Sequence, residues 1–99
     1  MRVLFDTSVL IAGLVAAHPK HTLALPWLQR AHTKKVEFLV AAHSLAECYA
    51  VLTTLPLTPK ISPTIAQSLL HENIEKTAHI IALTATDYST VIKQLALHG

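Results

Sequence analysis

Charge is scarce in this sequence. Acidic and basic side chains make up 14% of its 99 residues, against roughly 25% in an ordinary soluble domain. Apolar residues make up 52%. A chain of this length forms one domain at most, with a small core and little stability in reserve. It carries more apolar surface than a small monomer easily hides, which points to association with a second copy or another protein. The formal net charge of +2 is compatible with an RNA ligand but too small to argue for one. No apolar run approaches the roughly 18 residues of a membrane span. The opening Met1-Arg2-Val3-Leu4-Phe5-Asp6 brings an acid too early for a signal peptide, and no small-residue cleavage site follows. Cys48 is the sole cysteine, so no internal disulfide forms and a reducing cytoplasm is expected. There is no repeat, low-complexity tract or glycine-rich phosphate loop.

What is present is an alternation of short apolar segments. Val3-Leu4-Phe5 has the character of a buried strand running into the polar Asp6. A turn and a short helix follow over Val9 to Ala17, interrupted by Gly13 and ended by His18-Pro19-Lys20. Thr22 to Thr33 carries a helical pattern, although Pro26 favours a later start, since proline is comfortable only in a first turn. Val36 to Val40 is a second strand. Ser44-Leu45-Ala46-Glu47 matches a capping box ahead of a helix whose Leu45, Cys48, Tyr49 and Leu52 share one face. Ser62-Pro63 starts another helix, with Ile65, Ala66, Leu69 and Leu70 as its apolar stripe. His79 to Leu83 is a third strand. A last helix, capped by Thr86 or Asp87, carries Tyr88, Val91, Ile92 and Leu95 and ends near Gly99. This order implies an α/β domain with parallel strands and crossover helices.

In open parallel sheets, ligands bind beyond the carboxyl ends of the strands. Asp6 ends the first strand, and Glu47 lies just past the second, so both carboxylates can reach one edge. Hard oxygen ligands of this kind suit Mg²⁺ or Mn²⁺, which can activate a water for attack on a phosphate. Each acid also has a structural reading. Glu47 can be the reciprocal partner of Ser44 in the capping box. Asp6 can form a turn with nearby backbone.

The segment Val3-Leu4-Phe5-Asp6-Thr7-Ser8-Val9-Leu10-Ile11 resembles the opening strand motif of PIN domains. His43-Ser44-Leu45-Ala46-Glu47-Cys48-Tyr49-Ala50-Val51-Leu52-Thr53 is similar to the family's second acidic motif. The likeness runs the length of the chain, but only these two motifs are specific. It implies an α/β three-layer sandwich around a central parallel sheet of four or five strands, of which residues 1–99 are the N-terminal two-thirds. It also implies a VapC-like toxin ribonuclease: a cluster of three or four acids holding Mg²⁺ or Mn²⁺ to hydrolyse RNA phosphodiester bonds in a toxin–antitoxin pair. Asp6 and Glu47 match the first two acids, as catalytic and metal-holding residues. Thr7 or Ser8 matches the polar position beside the first acid, where a hydroxyl can bind substrate or a metal-bound water; a core or turn role is open as well. The family's third and fourth acids fall beyond Gly99, and Asp87 is expected to be a helix cap.

The other polar residues have bland explanations beside functional ones. His18 and His21 have a His-x-x-His spacing, but no third zinc ligand accompanies them. His43 is expected to be structural. Trp27 fits a core or a base-stacking role. Lys34, Lys35 and Arg30 can touch phosphate or cover a solvated helix end. Two functional classes remain. One is a metal-dependent ribonuclease acting on RNA, a homodimer with an antitoxin partner and no membrane association. The other is a shortened PIN-like module, weak or inactive, that dimerises or binds an antitoxin.

Overall fold

In the computed structural model, residues 1–82, 84–87 and 89 are described. They form β1 (Arg2–Leu4), α1 (Thr7–Leu14), α2 (His21–His32), β2 (Glu37–Ala41), α3 (Ala42–Thr54), α4 (Pro63–Leu70) and β3 (His79–Ile81). A π-helical turn, His71–Glu75, continues α4. The three strands pair in parallel in the order β1-β2-β3. Phe38, Leu39, Val40 and Ala41 of the central strand are all buried. Since neighbouring side chains point to opposite faces, both faces of β2 are covered, as in a layered α/β sandwich. No helix among the described residues is long and apolar enough to cross a membrane.

The first crossover departs from expectation in three places. No turn separates β1 from α1: the helix begins directly after Asp6. Gly13 does not interrupt the segment but lies buried inside α1. Helix α2 starts at His21 and contains Pro26 in its interior. An interior proline costs about 3 kcal/mol in an isolated helix. Pro26 is exposed, however, while Ala24, Leu28 and Ala31 on the same helix are buried. Packing of that inner face offsets the local penalty. The helix ends in a Schellman turn, with Lys34 N–H donating to Ala31 and Lys35 N–H to Arg30. Lys34 takes the left-handed conformation, φ 61°, that this turn requires.

Helix α3 starts at Ala42, with the extended Ala41 at its N-cap and no side-chain cap. The expected capping box at Ser44 and Glu47 is therefore absent. Ser44 is buried within the helix, so its hydroxyl does not curl back to cap an N-terminal amide. Cys48 and Leu52 form the buried face as expected, whereas Tyr49 stays exposed. In α4, Ser62 caps Ile65 at 3.2 Å and Pro63 occupies the first turn, as the sequence indicates. Ala66 and Leu70 are buried and Ile65 is exposed.

Strand β3 spans His79–Ile81, and Leu83, expected at its end, lies outside the described residues. The pattern residues of the last helix (Tyr88, Val91, Ile92, Leu95) and Gly99 lie outside the described residues. Its start is visible. Thr84 N–H donates to Asp87 Oδ2 at 2.9 Å, and Asp87 N–H donates to Thr84 Oγ1 at 3.1 Å. This is a reciprocal capping box. The cap is therefore Thr84, and Asp87 is its acidic partner three residues on. The Thr84 N–H, and then its side chain, hold the Asp87 carboxyl below its usual range.

The core centres on Leu10, Val40, Cys48, Leu52 and Ile74, which are fully buried. Helix α1 packs against both α2 and α3. At Gly13 the approach to α2 is close: a Cβ there would collide with the side chain of buried Leu28. Gly13→Val should therefore lower unfolding free energy in urea by about 1–3 kcal/mol. An unchanged unfolding midpoint would mean that the two helices are not in close contact.

Candidate active site

The route to the site begins at the β1–β2 ladder. Val3 is in register with Phe38 and Leu4 with Leu39. Phe5 N–H extends the pairing to Leu39 O at 2.9 Å. Asp6 then emerges beyond the carboxyl end of β1. Beside it, β2 ends at Ala41 and passes directly into α3, which carries Glu47.

Asp6 has extended backbone (φ −83°, ψ 170°) and serves as the N-cap of α1. Its Oδ1 accepts from Val9 N–H and from Ser8 Oγ–H, both at 2.9 Å. Among the described residues Oδ2 accepts no hydrogen bond. Ser8 is thus engaged by Asp6 and helps fix the carboxylate. Thr7 is half-buried at the first position of α1.

Glu47 lies in the second turn of α3, not the first. Its Oε1 is 3.1 Å from His43 Nε2, one turn back along the helix. Both side chains are about half exposed. Sequence reasoning missed this pair, which the i,i+4 spacing of His43 and Glu47 could have signalled. With the Ser44 capping box absent, the structural explanation for Glu47 is this contact with His43.

Cys48 feels the charge of both acids. It is fully buried on the inner face of α3. Burial pushes its thiol up to about 12, and the charges of Glu47 and Asp6 act in the same direction. Both carboxylates therefore lie within electrostatic reach of one sulfur. Among the described residues no group of three or more histidines, cysteines or acids could hold a metal. Two carboxylates, each with one oxygen outside the contacts above, fit a Mg²⁺ ion that takes most of its ligands from water and substrate phosphate.

The remaining polar residues divide by location. Lys34 and Lys35 precede β2 at the opposite edge of the sheet, alongside the Arg2–Glu37 ion pair. The histidine pair also has other work. His18 Nδ1 accepts from Lys20 N–H at 3.0 Å. His21 Nδ1 lies 2.8 Å from Ala12 O, one of the last carbonyls of α1, which has no partner within that helix. Sequence reasoning missed that link, which ties the start of α2 to the end of α1. Trp27 is not a core residue: it is 38% exposed, with the Arg30 guanidinium 4.6 Å from its ring centroid. Trp27 and Asp6 border one apolar cleft of about 380 Å³ along β1.

The sequence model of the PIN domain matches residues 2–96. The chain belongs to the PIN domain family. Ribonuclease VapC27 of Mycobacterium tuberculosis is 34% identical to it over 94 residues, which cover 95% of this chain and 65% of that protein. Ribonuclease VapC40 of the same organism is 34% identical over 93 residues, covering 94% of this chain and 63% of that protein. The chain thus spans somewhat less than two-thirds of the length of these curated relatives. The three-stranded parallel sheet agrees with the PIN fold expected from the two acidic motifs.

Capping and charge can be separated at Asp6 of this PIN domain. Asparagine caps as well as aspartate does, whereas loss of the cap costs about 1 kcal/mol. Thermal unfolding should find Asp6→Asn close to wild type and Asp6→Ala less stable by about 1 kcal/mol. Equal stability of Asp6→Ala and wild type would contradict the capping role.

Proposed function

We propose that this PIN domain belongs to a divalent-metal-dependent endoribonuclease, the toxin of a toxin–antitoxin pair. The observation that carries the reading is the placement of the two acids: Asp6 follows the carboxyl end of β1, and Glu47 stands on the helix that follows the carboxyl end of the adjacent parallel strand β2. The names of the matched relatives, both ribonucleases, support the same reaction class.

In this reading the carboxylates of Asp6 and Glu47 would hold Mg²⁺ or Mn²⁺. Such an ion, when bound, would supply positive charge for the phosphate in the transition state and a more acidic water for the attack. Ser8 and the Val9 N–H keep the Asp6 carboxylate in place, and His43 orients Glu47. Fixed ligands of this kind need no reorganisation as charge develops. Thr7 is assigned to the substrate side of Asp6, together with any share of Ser8 not used by the carboxylate.

RNA is the substrate, and the cytoplasm is the compartment in this reading. The apolar excess of the sequence, with Leu23 and Ile65 exposed, supports a homodimer and an antitoxin that covers part of this surface.

The test is cleavage of single-stranded RNA in the presence of Mn²⁺. Slow cleavage by the 99-residue chain, abolished by a chelator, is expected. Asp6→Asn and Glu47→Gln should each lower the rate by about 100-fold, the scale of a misplaced reacting group. Equal rates for wild type and Asp6→Asn would remove Asp6 from the mechanism.

A further inference from the structure

A second cleft, of about 480 Å³, opens between α1 and α2. Ser8 and Val9 line it at the end next to Asp6, and His18, Lys20 and Leu23 line it further along. Trp27 borders both this cleft and the one containing Asp6, as does Val9. The two clefts are therefore neighbours that share Val9 and Trp27 in their walls. Ser8 of this cleft donates its hydroxyl to Asp6 of the other.

The cleft has the chemistry of a nucleotide site. Its apolar wall includes an indole that stays partly exposed even with Arg30 stacked on it. Nucleobases of every kind stack on such a ring, and an adjacent guanidinium strengthens the attraction. The cleft's polar groups include the Lys20 ammonium and the His18 imidazole. Because His18 Nδ1 accepts the Lys20 N–H, the neutral ring carries its proton on Nε2, a donor suited to a phosphate oxygen. No acid lines the cleft, and among the described residues no carboxylate pairs with Lys20. An apolar helix from a protein would bury the Lys20 charge without a partner, whereas a phosphate neutralises it.

We propose that this cleft binds a nucleotide of single-stranded RNA next to the cleaved bond, with the base on Trp27 and a phosphate on Lys20. The proposal rests on RNA being the substrate and names where that substrate is gripped. Stacking is blind to base identity, so the cleft selects single strands over duplexes and contributes little sequence preference. Trp27 is a binding residue here and takes no part in the chemical step.

Trp27 is the sole tryptophan, so its fluorescence reports on the cleft directly. The experiment titrates the full chain with a single-stranded oligoribonucleotide in EDTA, where no cleavage occurs. Indole emission and the anisotropy of a labelled copy of the RNA are followed together. Quenching that tracks the anisotropy is expected, with little response to the same sequence as a duplex. Trp27→Ala should weaken binding by about tenfold and Trp27→Phe by less. Lys20→Gln should reduce the slope of log affinity against log salt by about 1. Binding without quenching, or unchanged by Trp27→Ala, would place the RNA elsewhere, leave the cleft to an apolar protein partner and overturn the proposal. Absence of any binding would overturn it too. Quenching without cleavage when Mn²⁺ is added would sink the ribonuclease reading and leave this one standing. Cleavage with no effect of Trp27→Ala on binding would do the reverse.

Discussion

The parallel ladder between β1 and β2 determines where both acids emerge. Because the strands run the same way and stay in register through Phe5, their carboxyl ends lie side by side. Each strand then passes almost directly into a helix, α1 after Asp6 and α3 after Ala41. No flexible loop intervenes, so the positions of Asp6 and Glu47 are set by regular structure. The contact of α1 with α3 and the shared influence on Cys48 follow from that arrangement. Antiparallel pairing would send the two acids to opposite edges.

Asp6 does two jobs with one carboxylate. One oxygen starts α1 by accepting Val9 N–H, and the other accepts no hydrogen bond among the described residues. The cap helps to orient the acid, and the acid's charge is favourable at the positive end of the helix. In the proposed reading, stability and function are thus coupled at this position, and asparagine and alanine separate them. Glu47 is different. It caps nothing, is held by His43 alone among the contacts described, and stands on the surface of a helix whose inner face is core.

Much of this was legible in the sequence because local signals and burial agreed. Ser62-Pro63 caps α4 as its chemistry dictates, and the apolar run before Ala41 is the buried central strand. The failures arose where a local motif competed with tertiary context. Ser44-x-x-Glu47 has the form of a capping box, yet Ala41 leaves the strand already extended and Ala42 is already helical, so the cap position falls earlier. The same motif was real at Thr84 and Asp87, where no helix precedes it. Pro26 argued for a late start to α2, but packing of Ala24, Leu28 and Ala31 kept the helix continuous around it. The exposure of Trp27 was not legible from spacing, because α2 turns Ala24, Leu28 and Ala31 inward and leaves the indole partly outside. Strand-end placement already singled out the two acids, and the family motifs strengthened that reading; the influence of both charges on buried Cys48 became apparent only from the fold.

The central claim is that Asp6 and Glu47 hold one ion between them. The direct measurement is Mn²⁺ affinity by calorimetry for wild type, Asp6→Asn, Glu47→Gln and the double variant. One ion per chain is predicted for wild type, with each single substitution weakening binding by about tenfold or more. For a shared ion, the double variant should bind only slightly worse than either single variant, a strongly non-additive cycle. Additive losses, or wild-type affinity in either single variant, would mean that the two carboxylates do not form one site.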